Sequence, residues 1–447
     1  GIGGADPLAD DKVFKREVEA RVAAIPAEFP EEARTSFRAL ATEFRDVFRE
    51  ELRPEDGPAK HPPFEYALRP KAEWPRAPKI RERLRSAEER AAMKRTILRF
   101  KDAGIIQEVS YVSAQEYRKK RRLPRTVLYA TIEDVRCHPF LLVKKRKKSK
   151  SVVLGDGSKV TAPLWEYRVV ICLDQWLNKV TLPTPMPPVN YDRIWQTIAG
   201  SRAFGSFDFL HAYFQFEVAE RQRHLCCFAA LGKVYALCRL PQGAANSGFQ
   251  MQSVLTSVLQ EVIDDGVALQ ADDGLLYARG WQQLLKTWRA TLDRLRRFNI
   301  KIKLSKVIFC DASVSWCGRL ITRDGVSVDP ERTRALLEMP DPKNLADLMA
   351  FIYGAAWSRQ YMPSAAYQRS FGALLAFINT QLKGTKRTKA AASRKTLEAI
   401  GFSERERSLL AEAKKVLAGA VGSPLAFIDP AKQVHIFTDA SDDYWAA

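Results

Sequence analysis

The sequence predicts an α+β protein with more than one domain. Short apolar runs typical of strands, such as FLLVKK, RVVICL and KVYALC, alternate with helix-patterned stretches such as QQLLKTWRATLDRLRRF between residues 138 and 325. After residue 329 the pattern is helical, and MPDP separates two of the helices. The chain has 447 residues, of which 46% are hydrophobic, so it can bury more than one core.

The elements before this region are predicted to be helical. Apolar residues recur at helical spacing between residues 12 and 50, and ELRPEDGPAKHPP then predicts an extended linker. The amphipathic segment from Glu88 to Gly104 predicts a long helix, since a glycine suits a helix C-cap. Near the other end, LKGTKRTKAAASRK predicts a basic connector, and VHIFTDASDDYWAA predicts a strand followed by a turn.

The charge balance favours a polyanionic partner. The sequence has 71 Lys and Arg residues against 52 Asp and Glu residues, a formal net charge of +19. An excess of this size makes nucleic acid the first candidate. Basic clusters lie at residues 118–122, 144–150 and 383–395, although such clusters are also typical of solvated surfaces or nuclear-import signals.

Several other function classes find no support in the sequence. No apolar run approaches the roughly 18 residues of a membrane span, so no membrane partner is expected. The seven cysteines form no CxxC pair, which argues against a zinc finger. The sequence contains neither a GxxxxGK phosphate loop nor an HExxH motif, and it lacks the Asp-Thr-Gly or Asp-Ser-Gly of an aspartic protease.

Three acidic residues are the main candidates for chemistry. Asp272 and Asp273 lie between apolar VALQA and LLYA, which predicts the tip of a β-hairpin. An ordinary surface turn also favours these residues. Two buried flanking strands, however, would hold the two like charges side by side, which is unfavourable unless cations bind there. Asp208 ends the apolar strand pattern AFGSFDF, where a lone acid is usually a cap. Together the three carboxylates could ligate two Mg²⁺ ions about 3.5–4 Å apart.

The motifs SFDFLHAYFQF, RLPQGAANSGFQMQ, LQADDGLLYA, IKIKLSKVIF, SWCGRLITRDGVSVDP and FTDAS follow one another along the chain. From about residue 38 onward, this ordered set resembles the reverse transcriptases of LTR retrotransposons, most of all the gypsy-like group. The similarity to retroviral and pararetroviral enzymes is looser. The resemblance implies a right-hand polymerase of fingers, palm and thumb, with an antiparallel palm sheet and the start of an RNase H-like domain.

The resemblance also implies a division into domains. We expect a helical lead and extended linker at residues 1–85, fingers with part of the palm at 86–203 and the palm at 204–325. A helical thumb at 326–395, a tether at 396–432 and a truncated RNase H-like start at 433–447 would follow. RNase H activity is not expected from this chain, because that domain needs acids beyond residue 447. We therefore expect a fragment of a longer Pol polyprotein.

The resemblance assigns roles to individual residues. Asp208, Asp272 and Asp273 would be the catalytic metal ligands, and Lys306 would hold or protonate pyrophosphate. The ring of Tyr213 would screen the 2′ position of the sugar. The remaining assignments are nucleotide binding for Phe209, Gln242, Gly243, Lys144, Lys145 and Arg168, primer positioning for Trp316, Cys317 and Gly318, and the first RNase H carboxylate for Asp439. Without the resemblance, Tyr213 is equally well described as a buried aromatic, and the Gln242 loop as an ordinary turn that opens the following helix. An exposed lysine such as Lys306 usually neither holds nor protonates a phosphate.

The function that follows is an RNA- and DNA-templated DNA polymerase. It would extend a DNA primer with dNTPs on an RNA template or RNA–DNA hybrid by nucleotidyl transfer with two Mg²⁺ or Mn²⁺ ions. The resemblance implies that the protein acts in cytoplasmic virus-like particles. The basic run KKRKKSK leaves nuclear entry as an alternative, and a homodimer is a further open alternative.

Two alternatives compete with this function. A non-catalytic nucleic-acid-binding or structural subunit, derived from an inactivated retroelement polymerase, is suggested by Gln270, where the family usually has an aromatic residue. A telomerase-like host enzyme is a weaker alternative, because it would need an RNA-binding domain that the sequence does not show.

Overall fold

The computed structural model describes residues 6–77, 85–111, 127–130, 133–146, 150–153, 159–162, 165–185, 190–263, 265–384, 388–421, 424–427, 433, 439–440 and 445–446. The chain divides into two compact units. Unit 1 comprises Gly1–Val189, Gly205–Leu276 and Trp281–Cys310, and unit 2 comprises Asn190–Phe204, Tyr277–Gly280 and Asp311–Ala447. Within the described ranges, no helix combines the length and the apolar character that crossing a bilayer requires.

Helices occur before, within and after the part of the chain that carries most of the strands. They are α1 (Asp11–Ala23), α2 (Glu31–Glu43), α3 (Ala87–Asp102), α4 (Leu177–Val180), α5 (Tyr191–Ile198), α6 (Ser247–Val258), α7 (Trp281–Arg297), α8 (Pro330–Leu337), α9 (Leu345–Ala356), α10 (Ser364–Tyr367), α11 (Ala373–Leu382), α12 (Lys389–Ser393) and α13 (Glu404–Gly419). The predicted helix over 88–104 is confirmed as α3, which Gly104 follows with a φ of +64°.

The strands are mostly short and antiparallel. They are β1 (Phe48–Arg49), β2 (Ile106–Tyr111), β3 (Val127–Ala130), β4 (Phe140–Arg146), β5 (Lys150–Val153), β6 (Lys159–Ala162), β7 (Trp165–Ile171), β8 (Ala203–Asp208), β9 (Cys227–Ala230), β10 (Lys233–Leu237), β11 (Val267–Gln270), β12 (Asp273–Ala278), β13 (Ile302–Lys303), β14 (Ile308–Asp311), β15 (Ser313–Trp316), β16 (Arg319–Thr322), β17 (Gly325–Val328), β18 (Asp439–Ala440) and β19 (Trp445–Ala446). The predicted α+β class is confirmed.

The sheet that carries the candidate acids has four strands in the order β11-β12-β8-β14. β11 and β12 form an antiparallel hairpin in which Val267 lies opposite Leu276 and Gln270 lies opposite Asp273. Both flanking strands are largely buried, as their apolar sequences predict. The predicted hairpin is therefore confirmed, with Asp272 in the turn and Asp273 as the first residue of β12.

Close packing behind this sheet depends on two glycines. Trp288 of α7 is fully buried, and its indole Nε1 donates a 2.8 Å hydrogen bond to the Phe309 carbonyl in β14. A Cβ on Gly205 would lie 2.7 Å from that same Nε1. A Cβ on Gly274 would overlap the buried ring of Phe207. Only a residue without a side chain fits at either position.

The N-terminal segment belongs to unit 1 and packs against the same sheet. The rings of Phe37 in α2 and Phe48 in β1 lie 5.8 Å and 6.2 Å from the ring of Phe309, centroid to centroid. β1 pairs in parallel with β13, so Phe48 lies opposite Ile302. The segment predicted as a helical lead is thus in direct contact with the strands that follow α7.

Other small sheets complete the two units. In unit 1, β3-β2-β10-β9 form a four-stranded sheet, and β4 with β7 and β5 with β6 form two antiparallel pairs. In unit 2, β15-β16-β17 form a three-stranded antiparallel sheet ahead of the helices that begin at Pro330. Aspartate at the N-cap and proline at the first helical position explain why a helix begins there.

We predict that Gly274→Ala destabilises the protein by about 1–3 kcal/mol, because the added methyl group must displace a buried ring in a packed sheet. Chemical denaturation followed by circular dichroism measures the change. Gly419→Ala is the matched control, since nothing lies within 4 Å of a Cβ there. An unchanged stability of the Gly274 variant would contradict the packing argument.

Candidate active site

The end of the four-stranded sheet brings the three candidate acids together. Asp208 is the last residue of β8, and the turn that contains Asp272 joins β11 to the neighbouring β12. The Phe209 amide donates a 3.0 Å hydrogen bond to the Asp272 carbonyl, which ties the end of β8 to the hairpin turn. Residues separated by more than 60 positions in sequence therefore share one sheet end.

The hairpin turn is held from outside by a helix. Ala271 has a φ of +52°, a left-handed conformation that costs an alanine about 1–2 kcal/mol. The Oε1 atom of Gln252 in α6 accepts a 2.6 Å hydrogen bond from the Ala271 amide and so compensates part of that strain. The side chain of Gln270 is half-buried beside the turn, and its Oε1 atom has no hydrogen-bond partner. The sequence analysis did not identify Gln252, because its place in the segment GFQMQ was the only indication of a role.

The acids interact electrostatically with one another and with a tyrosine. Burial raises the pKa of the Asp273 carboxyl, and the charge of Asp272 raises it further. The pKa of the Tyr213 hydroxyl is raised by burial and then by the charge of Asp272. A Cβ on Gly248 of α6 would lie 3.8 Å from the Tyr213 hydroxyl oxygen. Tyr213 therefore lies near both the acidic turn and the start of α6.

Lys306 reaches the same place from another loop. It ends a short 3₁₀ turn, Leu304–Lys306, that leads into β14. Its ammonium group forms an ion pair with the Asp208 carboxylate. The geometry thus groups Asp208, Asp272, Asp273, Tyr213 and Lys306, which the sequence analysis had selected from separate motifs.

The acids form a suitable donor set for a hard divalent cation. Three carboxylates at one sheet end offer the all-oxygen ligands that Mg²⁺ prefers. In the described part of the chain, no three Asp, Glu, His or Cys side chains converge in a ready metal cluster. Asp208 instead pairs with the Lys306 ammonium. The chemistry of these residues suits a divalent metal ion. To bind such an ion, the Asp208 carboxylate would have to release the Lys306 ammonium.

The Gln242 loop is clamped by two asparagines that the sequence analysis missed. Gln242 is exposed, and Gly243 has a φ of +92°. The Asn178 side chain donates a 3.0 Å bond to the Gly243 carbonyl and accepts a 2.9 Å bond from the Ala245 amide. The Asn246 side chain accepts a 2.9 Å bond from the Thr184 amide and donates a 2.8 Å bond to the Leu182 carbonyl. These bonds fix the loop against the segment that follows β7.

The other predicted nucleotide contacts have different surroundings. Phe209 is buried, and its ring packs 5.2 Å from the Phe207 ring. The Lys144 ammonium lies 4.0 Å from the Glu88 carboxylate and 5.5 Å from the centre of the Tyr167 ring. Along the β4–β7 pair, Lys145 lies opposite Glu166 and Arg168 lies opposite Val143. The side chains of Lys145 and Arg168 lie outside the part of the chain that the structure describes.

The predicted primer-positioning residues lie in unit 2. Cys317 and Gly318 have φ angles of +51° and +73° and form the two-residue turn between β15 and β16. The Trp316 ring packs 6.1 Å from the Trp195 ring. The next residue, Arg319, is buried and was missed by the sequence analysis.

The Arg319 guanidinium is surrounded by aromatic rings. It lies 5.1–5.7 Å from four ring centres and donates a 3.1 Å bond to the Tyr361 hydroxyl; the rings belong to Tyr191, Trp195, Trp357 and Tyr361. These contacts anchor β16 next to the turn. Asp439, the predicted RNase H carboxylate, lies opposite Ala446 in the β18–β19 pair, and its side chain lies outside the described part.

The chain resembles known proteins both in sequence and in structure. Residues 147–321 match the family model for reverse transcriptase (RNA-dependent DNA polymerase). The retrovirus-related Pol polyprotein from transposon opus of Drosophila melanogaster is 24% identical over 308 residues, which cover 66% of this chain and 29% of the relative. The corresponding polyprotein from transposon gypsy of the same species is 26% identical over 265 residues, covering 59% of this chain and 25% of the relative. The chain thus spans about a quarter of the length of these relatives.

Solved structures show the same fold. The foamy viral protease-reverse transcriptase in complex with dsDNA matches with a TM-score of 0.71 and 16% identity, over 97% of this chain and 76% of that chain. The same viral protein in complex with an RNA/DNA hybrid matches with a TM-score of 0.67 and 16% identity, over 93% of this chain and 47% of that chain. The predicted α+β right-hand polymerase fold is confirmed.

We predict that Asp273→Asn raises the thermal unfolding midpoint at pH 7. The pKa of Asp273 is raised in the folded protein, so the native state binds this proton more tightly than the unfolded chain does. The stability that the proton contributes is complete below the unfolded pKa and is lost as the pH rises through the folded pKa. At pH 7 the charged carboxylate therefore costs stability, by no more than about 1 kcal/mol because solvent screens a half-exposed group.

Thermal scans of wild type and variant at pH 7 and pH 4 measure this effect. The gain should shrink as the pH falls, because the raised pKa lets the folded wild-type carboxyl take up its proton before the unfolded chain does. Asp265→Asn, at an exposed acid before β11, is the control and should leave the midpoint unchanged. A lower midpoint for Asp273→Asn at pH 7 would show that the carboxylate is stabilising instead.

Proposed function

We propose that this chain, which carries a reverse transcriptase domain like that of the Pol polyproteins of gypsy-like LTR retrotransposons, extends a DNA primer with dNTPs on an RNA or DNA template. The observation that carries the proposal is the grouping of Asp208, Asp272 and Asp273 with Lys306 at one end of the four-stranded sheet. Within this grouping, the burial of Asp273 beside Asp272 costs stability at neutral pH, and groups perturbed in this way cluster at functional sites.

The three carboxylates are the proposed ligands of two Mg²⁺ or Mn²⁺ ions. When bound, such ions activate the primer hydroxyl and neutralise charge on the leaving pyrophosphate. The pKa of Asp273, raised first by burial and then by the charge of Asp272, supports the assignment, because a buried carboxylate beside a like charge gains from a bound cation. The Phe209–Asp272 backbone bond keeps the ligands on one rigid element.

Lys306 is the proposed partner of the leaving group. Its ammonium now holds the Asp208 carboxylate, and the same group can instead hold or protonate a phosphate oxygen. Tyr213 is the proposed sugar gate, because its ring lies close to Asp272 and against the start of α6. The nucleotide contacts of Gln242 and Gly243 and the primer contacts of Trp316–Gly318 belong to the same proposal.

The proposed nucleic-acid partners are an RNA template, a DNA primer and their hybrid. The viral neighbours were solved in complex with dsDNA and with an RNA/DNA hybrid, and a net charge of +19 suits the same class of ligand. The unpaired buried oxygen of Gln270 is the observation that favours the second candidate, a non-catalytic nucleic-acid-binding subunit.

We predict that Asp272→Asn lowers primer extension on poly(rA) with oligo(dT) by at least about 100-fold, because it removes a proposed metal ligand from a preorganised site. Fluorescence anisotropy should give nearly the same affinity for the primer–template. Asp265→Asn is again the control and should keep full activity. Tight binding with no extension by the wild-type protein, in Mg²⁺ and in Mn²⁺, would favour the non-catalytic subunit.

We predict that Tyr213→Ala weakens discrimination against ribonucleotides by about tenfold or more, because removing the ring opens space at the sugar 2′ position. Single-nucleotide insertion assays with dTTP and UTP measure the two kcat/KM values. Tyr213→Phe, which keeps the ring, should retain the wild-type preference. Equal preference in the Ala variant and the wild type would remove Tyr213 from the proposed gate.

A further inference from the structure

The residues just after β1 contact the loop that carries Lys306. Glu50 follows β1, which pairs in parallel with β13 immediately before that loop. One carboxylate oxygen of Glu50 accepts a 2.7 Å hydrogen bond from the Ser305 amide, and the other accepts a 2.8 Å bond from the Ser305 hydroxyl. The Glu50 side chain is 16% exposed, so water competes little for these bonds.

Ser305 is held on its third polar group as well. Arg21 of α1 donates a 3.0 Å hydrogen bond from its guanidinium to the Ser305 carbonyl. The amide, hydroxyl and carbonyl of the residue before Lys306 are therefore all bound by the N-terminal segment. These bonds to a partly buried turn residue restrict the direction in which the next side chain leaves the backbone.

Glu50 is itself held in place. The buried carboxylate of Asp6 accepts a 2.9 Å bond from the Glu50 amide and pairs with Arg53 at 2.8 Å. The Lys301 ammonium donates a 2.9 Å bond to the Asp46 carbonyl, which joins the turn before β1 to the residue before β13. Polar contacts thus lead from Asp6 through Glu50 to Ser305, the residue that precedes Lys306 in the chain.

The neighbouring acid holds the loop on the other side of Asp208. The Glu51 carboxylate lies 3.2 Å from His211 Nε2 and 3.4 Å from Arg99 Nη1. His211 lies between Asp208 and Tyr213 in sequence and has a φ of +45°, a left-handed conformation that is uncommon for a residue with a side chain. Glu50 therefore binds the loop that carries Lys306, and Glu51 binds the loop that carries His211.

We propose that Glu50 is a positioning residue for nucleotide addition, which acts by fixing Ser305 so that the Lys306 ammonium is directed at Asp208 and the leaving pyrophosphate. The inference rests on the proposed function. Its physical basis is that catalytic groups displaced by about 1 Å can lose about 100-fold in rate, whereas substrate binding at a distance is little affected.

The test compares Glu50→Ala in the wild-type and Lys306→Ala backgrounds, with Glu55→Ala, an exposed acid of the same segment, as matched control. Single-turnover extension gives the maximal rate and the dNTP dissociation constant separately, and anisotropy gives primer–template affinity. In the wild-type background we expect the maximal rate to fall between about tenfold and 100-fold, with both dissociation constants within about twofold. In the Lys306→Ala background we expect no further fall.

The Lys306→Ala background separates positioning from a merely structural role. An equal loss of rate in both backgrounds would overturn the inference, because Glu50 would then act independently of Lys306. Circular dichroism must show both variants folded at the assay temperature. If Glu50→Ala is not folded, Ser305→Ala replaces it in the same two backgrounds, because this variant removes only the hydroxyl bond. Ser305→Thr, which keeps a hydroxyl group, should restore the rate.

Failure of the inference differs visibly from failure of the proposed function. If wild-type protein extends primers and Asp272→Asn does not, the function stands and the Glu50 comparison decides the inference alone. If wild-type protein extends no primer, both proposals fall together.

Discussion

The crowding of negative charge at the end of a buried sheet is the constraint on which the rest of this site depends. Asp272 and Asp273 are adjacent, and the Phe209–Asp272 hydrogen bond brings Asp208 to the same place. Burial and the neighbouring charge raise the pKa of Asp273, which expresses the cost of this arrangement directly. The Lys306 ammonium offsets part of that cost by pairing with Asp208.

Residues around the acids also adopt arrangements that cost stability. Ala271 adopts a left-handed conformation that Gln252 stabilises. Such local costs persist only where the surrounding structure holds them, and they cluster at functional sites. The packed layer of Phe207, Trp288 and Phe309 supplies the rigid support.

The N-terminal segment also supports the candidate site. It pairs with β13, buries Phe37 and Phe48 against Phe309, and places Glu50 and Glu51 beside the loops around Asp208 and Lys306. An exposed loop moves more easily than a strand, so residues on loops need such external contacts to keep a catalytic geometry. The lead is therefore part of the same compact unit as the acids, and its polar residues have a structural reason for their positions.

The amino-acid sequence by itself determined the elements and the candidate acids. Alternating apolar runs predicted the α+β class, the flanks of Asp272 and Asp273 predicted their hairpin, and Gly104 predicted the end of α3, because each signal is local in the chain. Only the tertiary structure decided that Glu50 binds Ser305, that Gln252 holds Ala271, and that Asn178 and Asn246 clamp the Gln242 loop. In sequence these are ordinary polar residues, and their partners lie from 19 to 255 positions away. Hydrogen bonds over such separations depend on how the elements pack, which no local pattern of residues encodes.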